Sequence, residues 1–266
     1  MPSRLNLNKL QDALHTRVLG RTILFSREIG STNEWAKELA RLGASEGTVV
    51  VSETQAHGYG RNMRTWFSPE GGLWFSMILR PKLKPREAPK LAFIAGLAVA
   101  EILRELYVLH AETRWPNDVM VNGRKICGIL SEMTTSGDSV EFVIVGIGVN
   151  ANFDPEALPK SIRLVATTLE NELGRSVQLE QLFQALLEKL ETLYDLFMRE
   201  GFHSILKKWK EYASFLGKKV EVSAGSEIMK GLGCDVDEEG ALILRLEEGI
   251  SKRFLAGDVS LSKTEK

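Results

Sequence analysis

The sequence predicts an α+β protein, with a large unit of mixed strands and helices followed by a small all-β unit. Three observations predict it. Short β-branched runs at residues 48–53 (TVVVSE) and 139–150 (SVEFVIVGIGVN) alternate with an apolar helical stretch at 89–109. Leu179, Leu182, Leu186, Leu190 and Leu193 keep helical spacing within 160–213. After Gly217 the chain changes to short strands separated by Gly-Ser, Asp-Glu-Glu-Gly and Glu-Glu-Gly turns.

Taken in order, residues 5–16 read as a short amphipathic helix within a lead-in of residues 1–20. Ser31-Thr32-Asn33-Glu34 has the spacing of a capping box, in which Ser31 caps the helix and Glu34 reaches back. Trp35, Leu39 and Leu42 mark that helix's apolar face, and Gly43 ends it. The strand at 48–53 leads into a glycine-rich loop at 58–64, and a strand at 73–79 stops at Arg80-Pro81. Residues 89–109 are apolar on most faces, so this helix packs beneath a sheet. Asn122-Gly123 between Val119-Met120-Val121 and 125–130 is a strong hairpin signal. Residues 139–150 form a central strand, and two or three helices fill 160–213. Strands at 218–223, 229–236, 241–246 and 252–255 suggest a small β-barrel near the lower size limit for a self-supporting core, so it leans on the main unit. The division is therefore 1–216 and 217–266.

Lys and Arg number 34 against 35 Asp and Glu, a net charge of -1, so no overall basic footprint calls for nucleic acid. Cys127 and Cys234 have no Cys-x-x-Cys or histidine companions, which argues against a zinc site or a disulfide framework, and no metal ligand is assigned. The N-terminus lacks the apolar core of a signal peptide, and the apolar run 91–103 is shorter than the ~20 residues that span a bilayer. The expectation is a cytoplasmic protein with no membrane or DNA partner.

Four segments carry chemistry. Gly58-Tyr59-Gly60-Arg61-Asn62-Met63-Arg64 combines flexible glycines with forked cations suited to phosphate or carboxylate. It lacks the third glycine and following helix of a dinucleotide loop and the Gly-Lys-Ser/Thr of a P-loop. Arg114-Trp115-Pro116-Asn117-Asp118 precedes the hairpin and Lys125, with Gly128 able to clear space for a ligand. Ser31, Thr32 and Asn33 crowd a helix start, where free N–H groups and hydroxyls can bind a polar head group. Gly146-Ile147-Gly148-Val149-Asn150 ends a strand on two glycines. Taken singly, each also fits an ordinary role: an exposed hairpin, a turn, a cap, a tight turn.

Together and in this order they resemble the biotin protein ligases. That family's pattern is Ser-Thr-Asn, Gln-x-x-Gly-Arg-Gly-Arg-x-x-Arg-x-Trp-x-Ser-Pro-x-Gly, Lys-Trp-Pro-Asn-Asp, Lys-x-x-Gly-Ile and Gly-Ile-Gly-x-Asn. Here these stand at Ser31–Asn33, Gln55 to Gly71, Arg114–Asp118, Lys125 to Ile129 and Gly146 to Asn150, and Ala256-Gly257-Asp258-Val259-Ser260 is similar to the family's C-terminal ending. The resemblance implies a class II synthetase-like mixed sheet with helices on one side and an SH3-like C-terminal barrel. It implies that biotin and ATP, with Mg²⁺, give biotinyl-AMP, and that a lysine of a biotin carboxyl-carrier protein then takes the biotinyl group. With only about twenty residues before the core, the chain is similar to the stand-alone form without a DNA-binding module. A homodimer through sheet edges is a further implication.

The same resemblance implies the site. Catalysis falls to Lys125, Arg61 and Asp118, the last orienting or deprotonating the acceptor lysine. Biotin falls to Ser31, Thr32, Asn33, Gln55, Gly58, Tyr59, Gly60, Arg61, Lys125 and Gly128. The adenylate falls to Arg61, Arg64, Trp66, Asn117, Lys125 and Asn150, with Trp66 and Trp115 as apolar walls. Three departures stand out: Tyr59 replaces an arginine and is expected over the adenylate, Met63 replaces a glycine, and Arg114 replaces a lysine. Two rivals are a lipoate or octanoate ligase of related fold and a ligand-sensing transcriptional regulator.

Overall fold

The computed structural model describes residues 7–225 and 227–262, so residues 1–6 of the expected lead-in lie outside the described residues. The larger sheet is built from β1 (Ile23–Ile29), β2 (Val49–Gln55), β3 (Leu73–Leu79), β4 (Ala111–Arg114), β5 (Asp118–Val121), β6 (Arg124–Ser136) and β7 (Ser139–Val149). Its order is β1-β2-β3-β7-β6-β5-β4; β1 and β2 run parallel and every other neighbouring pair is antiparallel. β1 and β4, which the sequence pattern did not mark, form its two edges. The β5–β6 hairpin forms as expected. Asn122 (φ 51°) and Gly123 (φ 74°) both take left-handed conformations, as a two-residue turn matched to strand twist requires.

The helices are α1 (Leu7–Ala13), α2 (Thr32–Arg41), α3 (Lys90–Tyr107), α4 (Lys160–Arg163), α5 (Leu169–Leu173), α6 (Leu179–Glu200) and α7 (Phe202–Glu211), so 160–213 holds four helices rather than two or three. The period-2 alternation of strand side chains sorts them into two layers. Val49, Val51, Val143, Val145 and Ile147 join α3, α6 and α7 in the main core. Val50, Ile78 and Ile144, pointing the other way, meet Ala36 and Ala40 of α2. The long helices therefore share one face. The ten-residue α2 covers only part of the other, and the rest of that face is open to a ligand.

The lead-in is held by a buried carboxylate. Glu191 of α6 accepts the backbone N–H groups of Arg17 (2.6 Å), Val18 (2.7 Å) and Leu19 (2.8 Å). Burial opposes its charge, yet the N–H bonds of Arg17, Leu19 and Val18 outweigh it and hold the carboxyl below its usual range.

The C-terminal strands are β8 (Lys219–Ala224), β9 (Glu227–Val236), β10 (Leu242–Arg245), β11 (Ser251–Phe254) and β12 (Asp258–Leu261). They form an antiparallel sheet of order β11-β10-β9-β8-β12. No ladder joins β11 to β12, so the expected barrel is an open five-stranded sheet. Val220, Val222, Leu242, Leu244 and Val259 belong to the same apolar cluster as the main core. Trp115 Nε1–H donates to Gly240 O (2.8 Å) across that junction.

Candidate active site

The open face of the large sheet has a floor set by its alternation. Val145, Ile147 and Val149 point into the core, so Gly146 and Gly148 point the other way, as does Gly128 beside Gly148. One cross-strand row runs Ser52, Trp74, Gly148, Gly128, Asp118, Arg114, and the next includes Ser76, Gly146 and Leu130. The glycines are close-approach positions. A Cβ on Gly148 would stand 2.6 Å from Trp66 Nε1, and one on Gly146 2.0 Å from Asn33 Oδ1. The two-glycine strand end thus makes a trough rather than a tight turn.

Over this trough lies a cavity of about 430 Å³, a size common for small-molecule sites. Of the predicted residues, Ser31, Thr32, Asn33, Gln55, Tyr59, Gly60, Arg61, Arg64, Trp66, Asn117, Asp118, Lys125, Gly128 and Asn150 line it. Trp115, buried in the core, also reaches its wall. Gly58 is the exception: it is buried, and a Cβ there would meet Trp66 O at 2.6 Å and Ser68 Oγ at 2.9 Å. It lets two backbone segments approach and does not border the cavity.

One end of the cavity is a neutral polar network. Gln55 Oε1 accepts from Thr32 N–H (2.8 Å) and Thr32 Oγ1 (3.1 Å), while Gln55 Nε2 donates to Ser68 Oγ (2.8 Å). The capping box is thus not formed. Ser31 makes no side-chain cap, and Gln55 satisfies the first free N–H of α2 instead. Ser76 Oγ lies 2.8 Å from Thr32 Oγ1 and 2.6 Å from Asn33 Oδ1. These groups present fixed donors and acceptors with no net charge.

The other end is charged. Lys125 Nζ lies 2.7 Å from Asp118 Oδ1 and 5.1 Å from the centre of the Trp66 ring. Its backbone is clamped by residues 165–167, through Lys125 N–H to Val165 O (2.7 Å) and Thr167 N–H to Lys125 O (2.9 Å). Asn117 is locked by Nδ2–H to Ile129 O (2.5 Å) and accepts Arg61 Nη1–H at Oδ1 (3.3 Å). Asn150, buried, donates to Thr167 O (3.0 Å). Trp66 Nε1–H is buried with no partner among the described residues. Arg114, the replacement for the usual lysine, is held below its usual range by burial, which Asp118 and Glu112 only partly oppose.

The glycine-rich loop bridges both ends. Asn62 (φ 54°) and Met63 (φ 56°) lie in the left-handed region, which costs a side-chain-bearing residue about 1–2 kcal/mol. Met63 therefore adopts the backbone for which a glycine is suited. Arg61 Nη1–H donates to Gly257 O (2.9 Å), and both Arg61 (3.3 Å) and Arg64 (2.5 Å) pair with Asp258 of β12. Tyr59, expected over the adenylate, turns its hydroxyl to Glu34 and Glu132. Glu132 lies four residues along β6 from Gly128, about 13 Å at the strand rise.

Sequence reasoning missed Asp258 and the wall formed by Leu158, Ile162, Val165 and Ala166, read Glu34 only as part of a capping box, and did not single out Glu132, the other partner of Tyr59. Asp258 had a signal, since it sits in the C-terminal segment that carries the resemblance. The wall had none, because Leu158, Ile162, Val165 and Ala166 are plain apolar residues that no motif marks.

Comparison with known proteins agrees with this geometry. The profile described as "Biotin/lipoate A/B protein ligase family" matches residues 25–150, and "Biotin protein ligase C terminal domain" matches 215–262. The bifunctional ligase/repressor BirA of Bacillus subtilis is 35% identical over 261 residues, covering 98% of this chain and 80% of that protein. A biotin–[acetyl-CoA-carboxylase] ligase of Paracoccus denitrificans is 34% identical over 220 residues, covering 81% of this chain and 90% of its own. The Aquifex aeolicus biotin protein ligase, solved in complex with biotin and ATP, superposes with a TM-score of 0.76 at 30% identity, covering 92% of this chain and 100% of that one. The folded site and these relatives agree: this chain belongs to the biotin protein ligase family.

Proposed function

We infer that the protein is an ATP-dependent ligase that activates biotin and transfers it to a lysine of a biotin carboxyl-carrier domain. The observation that carries this reading is one cavity with a neutral polar end at Thr32 and Gln55 and a cationic end at Lys125 and Arg61. A ureido ring needs fixed neutral donors and acceptors, whereas a carboxylate meeting an α-phosphate needs positive charge.

In the first step a carboxylate oxygen of biotin attacks the α-phosphorus of ATP, and the bond to pyrophosphate breaks. Lys125 and Arg61 stabilise the charge that builds on the phosphate oxygens, and confinement in the cavity supplies proximity. In the second step a lysine amine attacks the biotinyl carbonyl and AMP leaves. The attacking nitrogen must lose a proton; of the two carboxylates lining the cavity, Asp258 is engaged by Arg61 and Arg64, and Asp118, beside Lys125, is assigned to take it. Its Oδ1 is buried and forms an ion pair with Lys125 Nζ at 2.7 Å. Among the described residues no cluster of three or more His, Cys, Asp or Glu could hold a metal, so Mg²⁺ would arrive on the nucleotide's phosphates.

Among the described residues no helix is long and apolar enough to cross a membrane, and Cys127 and Cys234 are free thiols, which fits a cytoplasmic enzyme. A homodimer would use the edge strands β1 or β4. Incubation with ATP, Mg²⁺, biotin and a carrier domain should produce a biotinylated lysine; lipoate in place of biotin should not be transferred. Lipoyl transfer without biotinyl transfer would overturn the reading.

A further inference from the structure

The loop over the cavity is pinned at two places by opposite chemistry. At one, the cations Arg61 and Arg64 rest on Asp258. At the other, the Tyr59 hydroxyl rests between two carboxylates: it donates to Glu34, and Glu132 Oε2 lies 3.0 Å away. Lys37 bridges the same carboxylates, with Nζ 2.9 Å from Glu34 and 3.1 Å from Glu132, and Asn33 Nδ2–H donates to Glu132 (2.7 Å). Glu34 belongs to α2 and Glu132 to β6, so this anchor joins the loop to the rigid body of the larger unit.

The two pins respond differently to a ligand. A carboxylate or phosphate entering the cavity competes with Asp258 for the arginines. No anion competes for a hydroxyl already held by two carboxylates that repel it. Desolvation, then the bond to Glu34 and the charge of Glu132, hold Tyr59 above its usual range, so it stays a donor at neutral pH. The bond from Tyr59, followed by that from Lys37, holds Glu34 below its usual range. Tyr59 also starts the small hairpin that carries Arg61, through its bridge to Thr65 and Gly60 N–H to Arg64 O (2.8 Å).

We propose that Tyr59, through Glu34 and Glu132, is a positioning residue that keeps the loop closed after the arginines have turned to the ligand, and so sets how long the activated adenylate is retained. The residue lies where the resemblance gives arginine. A guanidinium could serve both carboxylates at once; a phenol has one proton for two acceptors. The proposal rests on the ligase reading and is tested so that the two can fail separately.

Biotinyl-AMP is formed on the enzyme, free ligands are removed, and release is followed after a chase with unlabelled biotin and ATP. Tyr59→Phe keeps the ring and removes the hydroxyl; release should be about tenfold faster or more, the scale of one hydrogen bond to a charged group. Tyr59→Arg should restore slow release. The double substitution Glu34→Gln with Glu132→Gln, which leaves the tyrosine in place, should leak as Tyr59→Phe does. Release from Tyr59→Phe at the unsubstituted rate, or from Tyr59→Arg as fast as from Tyr59→Phe, overturns the proposal. If the unsubstituted protein forms no biotinyl-AMP, the ligase reading fails, and limited tryptic cleavage after Arg61 and Arg64 then tests the latch alone. Cleavage should be several-fold faster in Tyr59→Phe; equal cleavage overturns it.

Discussion

Asp258 Oδ2 accepts from Arg64 Nη1 at 2.5 Å while its Oδ1 lies 3.3 Å from Arg61 Nη1, so one carboxylate of the C-terminal sheet holds both cations of the glycine-rich loop. Gly257, at φ 148°, brings β12 close beneath Ser223, whose carbonyl would lie 2.8 Å from any Cβ there. The small sheet therefore supplies part of the larger unit's site. Its contact aims Arg61 across the cavity toward Asn117.

The two arginines should separate by experiment. Arg64 is two-thirds exposed and its recorded partner is Asp258, so Arg64→Ala should cost at most about 1 kcal/mol in urea unfolding. Arg61→Ala removes charge from the developing phosphate and should slow adenylate formation by about 10²–10³-fold in single-turnover assays. Equal kinetic effects would show that the loop's charge acts as a sum rather than from one position.

Asp118 should act mainly in the second half-reaction. Asp118→Asn keeps shape and loses basicity, so transfer from preformed biotinyl-AMP to the carrier lysine should slow by about 10²–10⁴-fold. Adenylate formation should fall less, through the lost partner of Lys125. Rapid-quench measurement of each step reads the ratio, and equal losses would assign Asp118 to holding Lys125.

The trough depends on Gly148 having no side chain. Gly148→Ala would put a Cβ 2.6 Å from Trp66 Nε1, and the indole must move. The β-strand backbone accepts alanine, so the protein should fold. Trp66 fluorescence should shift and biotin affinity by calorimetry should fall about tenfold. The unpartnered Nε1–H, which costs about 1–3 kcal/mol when buried, gains an acceptor if a ligand oxygen meets it.

Stability should follow Glu191 in a defined pH window. Its carboxyl has a pKa lowered from 4.5 in the fold, so its contribution is complete above that unfolded value and is lost as pH falls through the lower folded one. Glu191→Gln should cost about 2 kcal/mol in urea unfolding between pH 6 and 8. The difference from the unsubstituted protein should shrink below pH 4.5. A cost that does not change with pH would mean the lost contact is steric rather than ionic.

The sequence by itself determined the hairpin at Asn122-Gly123 and strand β3 to the residue, and its spaced motifs pointed to the family and to fifteen expected site residues, fourteen of which line the cavity. The hairpin and the strand are local matters, because turn chemistry and side-chain period act within a few residues. The family and the site residues came from the resemblance of motifs spread along the chain. Tertiary structure decided what the motifs do to one another. Gly146 and Gly148 read as a turn until β3 and β6 flanked them and made a floor. Ser31 read as a cap until Gln55, 23 residues from Thr32, took the N–H. The partners of Arg61 and Tyr59 lie 197 and 73 residues away, at Asp258 and Glu132. Carboxylates are common on any surface. Which two meet the Tyr59 hydroxyl is set by how α2 packs on the larger sheet and by the register of β6, and which one meets the arginines is set by the packing of the two sheets. Neither can be read within one stretch of chain.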